Sequence, residues 1–442
     1  MTSTKSNSSQ PAKYAIESGR KDLNVKTALP ALIACALLGA AAPSGSGTAA
    51  THFDAAVASQ RFGLIFENGT FGGPGAAVIA KAVEGAQYVM IGEDHGIAEI
   101  PAFSTALCAE IAPQGFDTIA LEVGPSTAKV LTNALQSADP AAAVAAYDRQ
   151  HPFSIAFYDF AEEYGFLRAC REATGPARFA LWGLDQELMG SSGALLAAAL
   201  ASATTPLERA TLQQLIAEDD ADFAKAMKSA NPEDMAMVKF DEAMLAALQG
   251  ELTASGGNTA SIAELLESER IYREDMAGEQ QSNLDRTKLH RDHFIAYDQA
   301  AFAATGTHPR VLVKMGAYHL FEGTSMLGDR ELGNFLSEYA AFQGTKAINI
   351  LIVGVRGQQL AFAGMGRPYA PIPLDLLHDK RADFAFMAPF FAGLGATPVL
   401  YDLRALRRAY AESGLQSLNL ERVVDGYDLL VVIPVAHPSH QV

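Results

Sequence analysis

Glu93, His95, Glu122 and His319 are the residues of this sequence best placed to do chemistry. Each follows directly on a short apolar run: Tyr88–Ile91 precedes Gly92-Glu-Asp-His95, Phe116–Leu121 precedes Glu122, and Arg310–Gly316 precedes Ala317-Tyr-His319. An imidazole beside carboxylates can take and return a proton, because the carboxylate fixes its tautomer and raises its pKa. With Glu93 and Glu122 as neighbours, His95 reads as a general base toward water. His319 reads as the group that protonates a leaving group or stabilises an oxyanion. The same two histidines and two glutamates also make a suitable donor set for a divalent metal that activates water. Residue types alone leave both chemistries open. A single carboxylate at a strand end is more often a cap than a catalyst. Four acids or histidines at matching strand ends make that bland reading harder to keep.

Other chemistries find less support. There is no Gly-x-Ser-x-Gly elbow, no His-Glu-x-x-His and no paired Cys-x-x-Cys, which removes the usual serine hydrolase, zincin and structural zinc signatures. The Gly-rich stretch Asn68–Gly75 lacks the Lys-Ser/Thr ending of a phosphate loop and reads as a plain loop. His290-x-x-His293 could pair on one helix face, but beside Arg291 and Asp292 it reads as a solvated charged face. Trp182 sits mid-strand and reads as core.

The elements that must position the four residues are legible as alternating strands and helices. Tyr88–Ile91, Phe116–Val123, Arg178–Asp185, Arg310–Gly316 and Ala347–Gly354 are near-continuously apolar, as strands buried on both faces are. Pro398–Asp402 and Tyr427–Pro434 are later strands. The apolar spacing of Ile100, Phe103, Leu107 and Ile111 predicts a helix between the first two, so strand, helix and strand form a parallel crossover unit. The expected fold is α/β: a central, mostly parallel sheet flanked by helices, with a large helical insertion between the third and fourth strands. Helices are expected over 195–201, 207–230, 233–253 and 262–302, and the insertion spans about 193–305 and caps the strand ends. Ligands of such sheets bind at the carboxyl edge, where the four residues fall.

Compartment and partners follow from composition. The chain of 442 residues is 49% apolar with a net charge of −17, a globular composition whose surface repels phosphate backbones, so nucleic acid is not an expected partner. A small-molecule or peptide substrate is. The lead carrying Lys5, Lys13, Arg20, Lys21 and Lys26, the apolar run Ala28–Ala42 and the small residues that follow read as a cleaved export signal. The expected organisation is a signal and leader over 1–50 and one domain over 51–442. The mature chain then has no membrane span and lies in the periplasm or outside the cell. A lipoprotein box ending at Cys35 is the lesser reading, because the apolar run continues past it. Cys108 and Cys170, among apolar neighbours in helix-like sequence, read as two buried thiols in preference to a disulfide.

Gly92-Glu-Asp-His-Gly96, Glu99 and Gly115-Phe-Asp-Thr-Ile-Ala-Leu-Glu122 together resemble the erythromycin esterase-like group and the superfamily it shares with the ChaN and Tiki (TraB) proteins. The resemblance continues in order through Phe166-Leu-Arg-Ala-Cys-Arg171, Trp182-Gly-Leu-Asp185, Lys314-Met-Gly-Ala-Tyr-His319, Leu400-Tyr-Asp-Leu-Arg404 and Val424-Asp-Gly-Tyr-Asp-Leu-Leu430. It implies an α/β fold and water activation for ester or lactone hydrolysis, with Glu93 and His95 as base pair or metal ligands. Glu122 and His319 would complete the site, and Asp94, Glu99, Arg171 and Asp185 would support it. Tiki-like relatives imply a metal-dependent hydrolase or protease. ChaN-like relatives imply haem or iron binding without turnover, and haem ranks behind a divalent metal as a cofactor. The sequence departs from the esterase pattern twice. A single residue, Asp94, separates Glu93 from His95, and no Arg occurs between Pro101 and Leu107.

Overall fold

The computed structural model describes residues 47–365, 369–378, 384–415 and 417–442. Nine strands form one sheet: β1 (Arg61–Gly63), β2 (Tyr88–Glu93), β3 (Phe116–Leu121), β4 (Ala180–Gly183), β5 (Arg310–Gly316), β6 (Ala347–Phe362), β7 (Tyr369–Asp375), β8 (Val399–Asp402) and β9 (Leu429–Ala436). Their order across the sheet is β1-β8-β9-β6-β2-β5-β3-β4, with β7 hydrogen-bonded to β6. The stretch from β9 through β6, β2, β5 and β3 to β4 is parallel throughout. Within this sheet, among the described residues, the antiparallel pairs are β1–β8, β8–β9 and β6–β7. Every residue of β2 is buried, which is why its sequence is continuously apolar and does not alternate.

The register sets out the site. Glu93 pairs with Gly316, and Leu121 pairs with both Lys314 and Gly183. The carboxyl ends of β2, β5, β3 and β4 therefore stand side by side. Helices Glu99–Ile111 and Ala161–Thr174 pack against each other and bring Cys108 and Cys170 to a Cα–Cα distance of 5.5 Å, where the two are joined as a disulfide. The expectation of two free thiols is corrected. Apolar neighbours at each cysteine said nothing of how close the two helices lie, and that distance is within bridging range.

The insertion between β4 and β5 is helical: Ser192–Ser202, Pro206–Ser229, Glu242–Ser255, Ala260–Met276 and Gln281–Thr305. It has a core of its own around Leu196, Leu212, Leu245, Leu252, Ile262 and Leu265. Thr205 and Glu208 cap the second of these helices reciprocally, with Pro206 in its first turn. Two expectations are corrected. The run over 233–253 forms two short 3-10 turns, Pro232–Asp234 and Ala236–Val238, and becomes α-helical at Glu242, where Asp241 caps it. The run over 262–302 is two helices, broken where Gly278 takes a φ of 71°. Asn68 and Gly69 form the turn of a short hairpin, Ile65–Glu67 with Thr70–Gly72, where a loop was expected.

The helix Gly47–Ser59 begins ahead of the expected boundary at residue 51 and buries Phe53 against Phe390 and Tyr410. Among the described residues no helix is long and apolar enough to cross a membrane. The apolar run over 28–42 and Cys35 lie outside the described residues.

Candidate functional site

β2 and the loop after it hold the first pair. His95 Nδ1 is 2.9 Å from Glu93 Oε1, and its Nε2 is 3.4 Å from Glu122 Oε2. The ring lies flat on Phe157, with centroids 3.9 Å apart. The imidazole is thus fixed on both edges and one face. Burial works against its charged form, but hydrogen bonds to Glu122 and Glu93 outweigh burial and push its pKa up to about 10. Gly96 lets the loop return beneath β6. It has a φ of 79°, and a Cβ there would lie 2.0 Å from the Leu360 carbonyl oxygen.

Glu122 is the hub. Its Oε2 accepts the Gly316 N–H at 2.5 Å, its Oε1 accepts Arg286 Nη2 at 2.8 Å, and His319 Nε2 is 3.4 Å from Oε1. Burial alone would raise its pKa, yet His319 and His95 hold it well below the usual carboxylate range. On the far side of His319, Nδ1 is 3.3 Å from Glu331 Oε2. Burial and the Arg286 charge oppose the His319 proton, while Glu122 and Glu331 favour it, and its pKa settles at about 9.

Four charged or imidazole groups join the site that sequence reasoning did not place there. Lys314 is fully buried, with Nζ 2.5 Å from Glu93 Oε1 and 2.8 Å from Glu163 Oε1. It stood inside a quoted motif, but a lysine within an apolar strand reads as a strand residue and not as a buried cation. Arg286, from helix Gln281–Thr305, grips Asp185 with Nε and Nη2 and reaches Glu122 as well. One turn on, His290 is fully buried with Nε2 2.9 Å from Asp185 Oδ1. The solvated face expected for His290 is corrected. Its neighbours in sequence are charged, but the helix turns this side chain onto the end of β4. His293 leaves the group and meets the Leu184 carbonyl at 3.0 Å. Glu331 comes from the segment after β5, which carried no motif.

Asp185 therefore meets the site, and Arg286 and His290 hold its pKa well below the usual range against the effect of burial. Asp94, between Glu93 and His95, hydrogen-bonds neither, and burial raises its pKa. Glu99 lies elsewhere: it takes His437 through the backbone N–H at 3.1 Å and through Nδ1. Arg171 is in the last turn of helix Ala161–Thr174, and its charge acts on Tyr164. Glu99 stands close to the motif in sequence and Arg171 was implied by the family resemblance, but the structure turns Glu99 to His437.

A small, partly open cleft of about 40 Å3 lies above this row. Glu122, Asp185 and Arg286 line it together with Gly124, Phe157, Gln186, Leu188, Ile271, Tyr272, Asp275 and Asn283. Of the four central residues, Glu122 alone lines the cleft; His95 and His319 lie behind it. The donor set Glu93, His95, Glu122 and His319 does not fit a metal ion. Lys314 and His95 share Glu93 Oε1, and Arg286 and the Gly316 N–H take the two oxygens of Glu122. Only Glu93 Oε2 is left without a partner. Haem fits no better, because both ring nitrogens of His95 and of His319 face carboxylates and leave none open to an axial iron.

No protein-family model matches the chain, and no curated protein matches its sequence. Solved structures do. A histidine variant of the erythromycin esterase EreC, in its open conformation, matches with a TM-score of 0.52 at 15% identity, over 82% of this chain and 94% of that one. The chain shares the fold of erythromycin esterase. A succinoglycan biosynthesis protein matches at a TM-score of 0.56 and 15% identity, over 90% of this chain and 100% of that one. A Bacillus cereus protein matches at 0.53 and 14%, with the same coverage. At these identities the likeness is one of fold and carries no activity with it.

Proposed function

We propose that the protein is an exported hydrolase that activates water against an ester, lactone or related bond. The observation that carries this reading is the chain of contacts from the cleft through Glu122 to His95 and on to Glu93. Water on the cleft floor donates a hydrogen bond to Glu122. As its oxygen bonds to the substrate carbonyl carbon, its proton passes to Glu122 and then to neutral His95, the stronger base of the two. Arg286 and protonated His319 offset the negative charge that develops on the carbonyl oxygen. When the tetrahedral intermediate collapses, the proton returns through Glu122 to the departing alkoxide. Water and ester become acid and alcohol, and the site ends as it began. Glu122 and Arg286 touch substrate, while His95, Glu93 and Lys314 set the proton's position. The walls at Leu188, Ile271 and Tyr272 suit a small molecule with an apolar body. Export agrees with the Cys108–Cys170 bridge, which persists in an oxidising compartment.

The test is a panel of esters, lactones and peptides assayed with wild type, His95→Ala and Glu122→Gln. Wild type is expected to turn over at least one ester or lactone, with each variant slower by about 100-fold or more. Wild type inert across the whole panel, or His95→Ala as fast as wild type, would sink the reading.

A further inference from the structure

We infer that His290, His319 and Glu331 form a site for one divalent transition-metal ion of the zinc class, which shares His319 with the strand-end set but none of Glu93, His95 and Glu122. One donor atom from each of the three lies within 4.8 Å of the others, and all three residues are buried. The His319 Nδ1–Glu331 Oε2 separation of 3.3 Å is already that of two ligands on a tetrahedral ion, which lie about 3.4 Å apart at zinc bond lengths. His290 supplies the second, independent observation. Its Nε2 is held by Asp185 at 2.9 Å, while its Nδ1 is buried with no hydrogen-bond partner. A carboxylate on one ring nitrogen and an open second nitrogen is the arrangement of a metal-ligating histidine, with Asp185 fixing the tautomer. His319 has Glu122 on Nε2 and turns its Nδ1 to Glu331, its partner in the proposed donor set.

Arg286 pairs with Glu122 and Asp185, whereas Glu331 pairs with His319. A divalent cation bound there would take the place of the His319 proton opposite Glu331. Two histidines and a glutamate are a common zinc donor set. Binding displaces the proton of His319, so affinity rises with pH. The inference does not rest on the hydrolase reading, since binding is measured without turnover.

The experiment titrates Co2+ into the chelator-stripped full chain and follows its visible d–d absorption, with zinc competition and elemental analysis. Wild type is expected to take one ion per chain and to gain thermal stability from it. His290→Ala and Glu331→Gln should each weaken binding by about 100-fold or more, and His95→Ala by less than about threefold. If Glu331→Gln does not fold, Thr287→Val replaces it. That change removes the hydroxyl 2.8 Å from Glu331 Oε2 and should weaken binding by about tenfold. No uptake by wild type would overturn the inference, as would wild-type affinity in His290→Ala. Loss of the ion in His95→Ala would overturn it too, because the ion would then belong to the strand-end set.

Discussion

Glu93, His95 and Lys314 come from neighbouring strands or the turn just after one, whereas Arg286 and His290 come from a helix of the insertion and Glu331 from the segment that follows β5. The strand-borne half is dry and locked. Its groups are fixed by a register that pairs Glu93 with Gly316, and Lys314 sits fully buried between two carboxylates. The helix-borne half meets the cleft: the Arg286 side chain keeps 13% of its surface and lines the cleft. Sheet hydrogen bonds give the first half its precision. The second half can shift with its helix, which is bounded on one side by the break at Gly278. On the proposed mechanism the proton store is thus rigid, and the group proposed to meet substrate is adjustable.

The sharpest way to break this contrast is Lys314→Met. It leaves Glu93 and Glu163 buried without their cation, a loss of about 3–5 kcal/mol by analogy with other broken buried pairs. Urea unfolding at neutral pH should show it. The loss should shrink on acidification toward pH 6, because burial and the Glu93 charge already push the Glu163 pKa up to about 7, and a protonated Glu163 needs no partner. A loss of equal size at both pH values would mean that Lys314 acts through packing alone. Arg286→Ala comes next. It should cost turnover about 10²–10³-fold, in the range of a lost oxyanion donor, and should spare stability relative to Lys314→Met because the side chain reaches solvent. If Arg286→Ala proved the more destabilising of the two, the division into a structural half and a substrate half would fail.

The same division explains what the sequence could show. Buried parallel strands announce themselves as apolar runs, so every strand from β2 to β6 was visible, β2 to β5 together with the acid or histidine that follows (Glu93, Glu122, Asp185 and His319) and β6 only to Gly354 of its run to Phe362. Helix Gln281–Thr305 was visible as a helix, but not the rotation that turns Arg286 and His290 inward. Its polar residues lie all round, and the side buried against β4 includes a charged face of its own. Glu331 lies in a segment without periodicity, and only the chain's return across His319 gives it meaning. The Cys108–Cys170 bridge was hidden for the same reason, since helix pairing is a tertiary distance. Charged residues that pair with one another in a buried site leave no hydrophobic pattern to read.

A pH series tests both halves together. His95 and His319 titrate in the folded protein at about 10 and about 9, above the ordinary histidine value of about 6.5. A raised folded pKa adds stability that is complete below the unfolded value and is lost as pH climbs through the folded one. The urea midpoint should therefore fall between pH 7 and pH 10. Over the same window kcat/KM should rise, because only neutral His95 can accept the proton relayed by Glu122. His95→Gln should flatten much of the stability slope and all of the rise in rate. A rate that peaks near neutral pH would instead assign the base to a group outside this network.

The smallest expected effect falls where the halves touch. Gly316 ends β5, and a Cβ there would lie 3.1 Å from His95 Nε2 and 3.2 Å from Glu122 Oε2, tighter than ordinary packing allows. Gly316→Ala needs no unusual backbone angle, so its cost is a wedge at the 3.4 Å gap between imidazole and carboxylate. Overpacking of this kind costs about 1–3 kcal/mol when neighbours cannot yield. His95 cannot retreat, held by Glu93 at one edge and by Phe157 on its face. Glu122 can yield, with Arg286 as the movable partner. The carboxylate should therefore shift toward the cleft, so that stability falls by about 1 kcal/mol, at the low end of that range. The relay to His95 should stretch, lowering kcat more than it raises KM. A stability loss near the top of the range with kcat intact would mean that Glu122 is held as rigidly as His95, and that the helix-borne half is no more adjustable than the sheet.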